Sequence, residues 1–238
     1  MTARTTETPP LSYARIAGFL YLLIIVFGIF SEVGIRSTII VKGDGAATVA
    51  NILASESLFR TGFAADVIML LSDVAIAVLF YVLLKPVSKI LALTAAAFRL
   101  IQAALLGFNL LNYYAPMLLL DGPKYGSDFG TNQLNSLVML FLDMHSHGYD
   151  LGLIFFGLSN IILGYLVIKS EYFPRVLGYG LIAAAVVYLV GSLTRFLLPD
   201  FAFVIAPFYA VPLIAELAFC LWLLVKGIRV RSSGDATA

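Results

Sequence analysis

Six runs of the sequence are long and apolar enough to cross a lipid bilayer, and no other feature restricts the fold so strongly. They cover roughly residues 14–35, 62–84, 90–118, 149–168, 176–198 and 203–225, each close to the ~20 apolar residues a helix needs to traverse the hydrocarbon core. A segment in that medium must satisfy its own backbone hydrogen bonds, so the runs are read as helices. Turn signals separate them: KGDG at 42–45, KPVSK at 85–89, DGPKYG at 121–126, Pro174 and the Leu-Pro-Asp of 198–200. The expectation is an all-α, polytopic membrane helix bundle of about six transmembrane helices. It forms one integral membrane domain over 1–238, with 1–12 and 230–238 read as disordered tails.

Charge agrees with this class. Charged residues make up 12% of the chain and hydrophobic ones 61%, whereas a soluble domain carries about a quarter charged. The net charge of +1 leaves no cationic footprint for nucleic acid, so the expected partners are the lipid bilayer and a small-molecule or ion ligand. Cys220, the one cysteine, can form no internal disulfide. Arg4 and Arg15 precede the first run as they would in a signal peptide, but no small-residue cleavage site follows, and a retained helix is expected. Lys and Arg are in excess on cytoplasmic loops. Arg4, Arg15, Lys85, Lys89, Lys169, Arg175, Lys226, Arg229 and Arg231 fall on one side of the bundle; Arg36, Lys42, Arg60 and Lys124 fall on the other. Both termini are therefore expected in the cytoplasm, with the protein in the cell (plasma) membrane.

The first extracytoplasmic loop has structure of its own. Val49, Ile52, Leu53 and Phe59 recur at helical spacing after Asp44 and Thr48, either of which can cap a helix start. A short amphipathic helix lying on the outer surface is expected there.

Helical rise converts position into depth. Counted from the cytoplasmic basic anchors Lys85, Lys89, Lys169 and Lys226, Asp73, Arg99, Asn160 and Glu216 lie roughly 14–18 Å into the bilayer, near its midplane, with Gln102 on the Arg99 side of its helix. Glu32, Asp66, Asn109, Asp150 and Arg195 come out at roughly 25–30 Å, with Asn112 and His147 slightly beyond. Asp66 and Asp73 share one helix face, as do Gln102 and Asn109. Because the second and third spans are joined by a few residues around Pro86, they are antiparallel neighbours, and Asp73 is expected to meet Arg99, with Glu216 as a possible third member. An unpaired charge at the bilayer centre costs about 2.5–3.5 kcal/mol. Such a pair has a structural reading, as a register pin, and a functional one. Glu32 has Arg36 four residues on as a local partner, Arg195 can snorkel to the interface, and Pro212 can kink the last span by freeing the carbonyl of Phe208.

The stretch FLDMHSHGYDLGLIFFG, 141–157, holds both histidines between two aspartates. In a continuous helix Asp143, His147 and Asp150 share a face and His145 points nearly the opposite way; in a broken segment the histidines can converge on a metal. A helix over 132–168 measures roughly 55 Å, so its first part is expected to protrude or to bend at Gly148. Asp143, His145, His147 and Asp150 are the candidate metal ligands, but hydrogen-bonded interfacial histidines are the favoured reading, and no cofactor is expected.

The runs RIAGFLYLLIIVFGIFSE, NILASESLFRTGFAADVIMLLSDVAIAVLFYVLLKPVSK, AAAFRLIQAALLGFNLLN and LFLDMHSHGYDLGLIFFGLSNIILGYLVIKSEYFPRVLG together resemble the bacterial membrane family of domain of unknown function 4386. The resemblance spans about 14–225 and implies a multi-pass helical membrane protein with no assigned activity. The family's histidine in this stretch corresponds to His145, whereas His147 departs from the pattern, which weighs against a two-histidine metal site.

The favoured function is binding or transport of a small solute or ion through an outward-facing polar pocket lined by Asp66, Asn109, Asn112, His145, His147 and Asp150, coupled to the midplane layer of Asp73, Arg99, Gln102, Asn160 and Glu216. The alternatives are an intramembrane metal- or carboxylate-dependent hydrolase and an accessory membrane protein. GxSxG and HExxH motifs are absent from the sequence, so the balance leans away from an enzyme.

Overall fold

A computed structural model describes residues 10–121 and 129–228. Arg4, Lys124, Arg229, Arg231, most of the 121–126 turn and the tail segments 1–9 and 230–238 lie outside the described residues. Among the described residues there are helices and turns and no strand. Helix α1, Pro10–Ile29, continues as a π-helix over Phe30–Arg36 and a closing α-turn, Ser37–Ile39. Residues 10–12, expected in the tail, are its first turn. The loop helix α2 is Gly45–Ala54, and Asp44 caps it by accepting the Ala47 N–H at 2.9 Å. Then follow α3, Glu56–Leu84, α4, Lys89–Leu120, α5, Thr131–Lys169, and α6, Arg175–Leu197. Short helical turns at Pro199–Phe201, Ala202–Ile205 and Ala206–Tyr209 lead into α7, Ala210–Val225.

Of the two courses expected for α5, protrusion or a bend at Gly148, the helix is not broken at Gly148: it is continuous for 39 residues, roughly 58 Å, so that its first part extends past a bilayer core, and its first turns carry α2, whose Gly45 packs on Asn135. Gly148 is needed for close approach: a Cβ there would collide with the side-chain amide of Asn109. Pro212 does not kink a helix interior either. It is the third residue of α7, where its missing N–H interrupts no intrahelical bond.

Among the described residues six helices are long and apolar enough to cross a membrane: Pro10–Ile39, Glu56–Leu84, Lys89–Leu120, Thr131–Lys169, Arg175–Leu197 and Pro199–Val225. They pack as a closed ring in the order α1, α3, α4, α5, α6, α7 and back to α1. One end of the ring is filled by Tyr21, Ile76, Phe80, Leu163, Leu166, Phe219 and their neighbours. The other end is closed by Ile35, Ile52, Phe59, Tyr113, Val138 and Leu142, with α2 as its lid. Large apolar side chains cover the outside, among them Ile90 at 77% exposure and Phe108 at 75%. Such a belt is a liability in water and the natural surface in lipid. The chain is a membrane protein.

Candidate functional site

The polar groups of the spans gather in three places. At mid-depth, Arg99 Nε donates to Asp73 Oδ1 at 2.7 Å, and Nη2 lies 2.6 Å from the same oxygen as an ion-pair contact. The pair expected from antiparallel α3 and α4 is thus present, and both side chains are almost fully buried. Three rings surround the guanidinium carbon: Phe156 at 4.8 Å, Tyr21 at 5.6 Å and Phe80 at 5.7 Å. Their π-faces compensate part of the desolvation of a cation held in the membrane. Among the described residues neither Nη1 nor Nη2 of Arg99 has a hydrogen-bond partner, and Arg99 and Ser159 help line a void of about 10 Å³, near the size that one water requires.

Glu216 is not part of the Asp73–Arg99 contact. Its Oε1 accepts from Asn160 Nδ2 at 3.2 Å, and Tyr188 lies alongside. Asp73, Gln102 and Glu216 all line a cavity of about 200 Å³ to which all six membrane helices contribute. Its remaining wall is apolar or aromatic, with Ile24, Leu106, Phe156 and Leu213 among the lining residues, and with the three tyrosines Tyr149, Tyr188 and Tyr209. The Gln102 side chain lies against Asp73, yet among the described residues Asp73 Oδ2 and Gln102 Oε1 are buried without a hydrogen-bond partner. The tyrosines were not foreseen as site residues. A tyrosine inside an apolar span carries a hydroxyl that needs a partner, and that signal was available in the sequence.

The second gathering lies toward the α2 end. Arg36, buried despite its place in the expected outer loop, donates to Asp66 Oδ2 at 2.7 Å, Ser31 Oγ at 2.9 Å and Glu32 Oε2 at 2.7 Å. Glu32 is therefore a local partner, but the buried contact is with Asp66. Arg36 stands over the ring of Tyr113 at 5.7 Å, which in turn packs on His145 at 5.2 Å. Asn109 Nδ2 donates to the His145 carbonyl at 2.7 Å, and Asn112 Nδ2 donates to Asn109 Oδ1 at 3.0 Å. Asp66, Asn109, Asn112 and His145 thus form one network through Arg36 and Tyr113.

The third gathering is at the α5–α6 seam. Arg195 does not snorkel alone; it pairs with Asp150 and donates to Ser146 Oγ at 3.0 Å, while Ser192 reaches Asp150 at 3.4 Å. His147 is exposed, packed edge-on to Phe196, with its Nδ1 2.8 Å from the Asp143 carbonyl. So the outer residues divide between two separate networks, with His147 on the surface, and none of the six lines the central cavity. The reason is rotational: equal height on neighbouring helices does not imply equal azimuth, and on α5 His145 faces away from Asp150. Among the described residues no three His, Cys, Asp or Glu side chains gather as a metal-binding set.

The comparisons with known proteins place the chain without assigning it an activity. An uncharacterised protein of Archaeoglobus fulgidus is 30% identical over 160 residues, which are 67% of this chain and 80% of that one. No solved structure matches. The family model for the domain of unknown function DUF4386 matches residues 16–227, nearly the whole ring of helices, and the chain belongs to that family.

Proposed function

We propose that the protein binds a small solute in the central cavity and passes it through the bilayer, with a cationic or hydrogen-bond-donating group of the solute set against Asp73, Gln102 and Glu216. One observation carries this reading: two buried acceptors, Asp73 Oδ2 and Gln102 Oε1, belong to side chains lining a cavity shared by six helices and have no partner. Leaving a buried acceptor unmet costs about 1–3 kcal/mol, and a ligand donor recovers that cost. The cavity's mid-depth position suits alternating access, in which a central site is exposed to each side in turn. The protein is placed in the plasma membrane with both termini cytoplasmic on the support of its Lys and Arg distribution; a reporter fused after residue 231 then reads cytoplasmic, and an external reading reverses the orientation.

The cavity is tested by filling it. A Cβ on Gly28 meets only Met69 Sδ, at 3.3 Å, so the ring of Gly28→Phe is directed into the space that Gly28 lines. Native mass spectra of protein released from its own membrane should show a small-molecule adduct on the wild type and none on Gly28→Phe. Equal spectra from the two proteins reject the reading.

A further inference from the structure

The cavity is open on one side. Ile29 of α1 and Leu213 of α7 both line it, yet they are 44% and 46% exposed on the outer surface of the ring. Counted from Arg15 and Lys226, each lies roughly 20 Å into the membrane, well inside the hydrocarbon layer. The opening between α1 and α7 therefore meets acyl chains rather than water. Farther down, the same two helices touch: a Cβ on Gly18 would lie 2.8 Å from Leu224 N and 2.9 Å from Leu223 Cβ, and Cys220 Sγ donates to the Gly18 carbonyl at 3.4 Å. The seam is a cleft, closed at its base.

Polarity is graded from this cleft inward. Ile25, Ile29 and Leu213 stand at the entrance, and Asp73, Gln102 and Glu216 are the buried polar side chains of the lining. Two of those are carboxyls, and among the described residues Arg99 is the one buried cation at their depth, so with both carboxyls ionised one more positive charge balances the layer. A primary ammonium supplies that charge and three N–H donors for the unmet acceptors, and tyrosine faces in the wall favour a cation. Size sets the remainder. An apolar cavity of about 150 Å³ accepts benzene, so about 200 Å³ holds a head group and a few carbons, and a longer chain has to remain in the cleft.

We propose that the ligand is a single-chain amphiphile with a primary ammonium head, which enters sideways from the bilayer between α1 and α7, sets its head on Asp73, Gln102 and Glu216, and leaves its chain in the cleft. This rests on the solute-binding reading and adds to it the chemical class and the route.

The test uses the full chain in phosphatidylcholine nanodiscs with radiolabelled dodecylamine, dodecanol and ethylamine. Dodecylamine should bind saturably, about tenfold or more tighter than either comparison compound, because only it offers both charge and chain. Glu216→Gln keeps size and hydrogen bonding and should weaken dodecylamine by about tenfold; if that variant fails to assemble, Gln102→Met makes the same comparison with an expected loss of about threefold. Leu213→Trp, at the lipid-exposed entrance, should slow dodecylamine uptake severalfold without lowering the melting temperature. Equal binding of ethylamine overturns the chain and the lateral route and leaves the cavity reading standing. Equal binding of dodecanol overturns the ammonium head. An adduct that Gly28→Phe abolishes, together with no saturable dodecylamine binding, overturns this inference alone; no adduct and no binding of any of the three compounds overturns the cavity reading as well.

Discussion

The seam between α5 and α6 and the seam between α1 and α7 belong to one ring, yet only the first is closed along its length. In α5–α6 the contacts climb from Gly164 against Gly178, through Gly157 against Ala185 and Leu189, to Asp150 clasped by Arg195. Small residues repeat at seven-residue spacing on α5, and the two backbones approach closely over several turns. In α1–α7 the comparable contact is Gly18, at one end. Beyond it the facing residues are Ile24, Ile25 and Ile29 against Leu213, with the cavity between them. Helix association in lipid draws little from the hydrophobic effect and much from close packing. A seam supplied with small residues throughout is a wall, and one supplied at a single end is a place where something else can fit.

Four measurements break or sharpen this contrast. The largest effect is expected across the cavity from the open seam, between α3 and α4, where Arg99→Met strands Asp73 as an uncompensated buried charge, a loss of about 3–5 kcal/mol. The double variant Asp73→Leu with Arg99→Met should recover part of it; strict additivity of melting temperatures would count against the pair as the source. Next, Gly164→Val drives a Cβ to within 2.6 Å of the Gly178 carbonyl oxygen, and should cost about 3 kcal/mol because backbone rather than a side-chain end must yield. A melting temperature within error of wild type would mean that α5 and α6 are not locked as described. At the outer end of that seam, Arg195→Ala should cost about 1–2 kcal/mol, because Arg195 is a third exposed while the buried Asp150 loses its charge partner and keeps only Ser192; misassembly of the variant would show a larger role. The smallest change is expected from Leu213→Ala, below about 0.5 kcal/mol, since the side chain borders the cavity on one side and lipid on the other. A loss comparable to that of Gly164→Val would mean the α1–α7 cleft is packed shut.

What could be read from the sequence follows the helix axis, and what could not follows rotation about it. The six spans, the capped loop helix and the common depth of Asp73 and Arg99 depend on counting residues at 1.5 Å each, and the chain order carries that information. Which helices are neighbours, and which way each face points, depends on the ring. Asp150 looked like a companion of Asp66 because their heights match, but it faces α6, and Arg195 is there to meet it. Gly148 read as a hinge because glycine weakens helices, whereas the side chain of Asn109, on another helix, occupies the space of its missing Cβ. Pro212 read as a kink because the preceding apolar run looked continuous, but the regular helix begins only at Ala210. The burial of Arg36 had no local signal, since Glu32 four residues earlier already offered a sufficient partner on the surface.

The π-helix at Phe30–Arg36 has a bearing on how α1 serves two neighbours at once. An α-helix advances about 100° per residue, so a strictly regular α1 would have one phase from end to end, and the contact of Gly18 with α7 would dictate where Arg36 points. In the π segment the Ser37 N–H reaches the Glu32 carbonyl five residues back, and the wider turn takes in an extra residue. The outer end of α1 is thereby clocked about 100° behind its inner end. Gly18 can be keyed to α7 and Arg36 to Asp66 on α3 without either setting the other, which makes α1 two keys cut on one shaft.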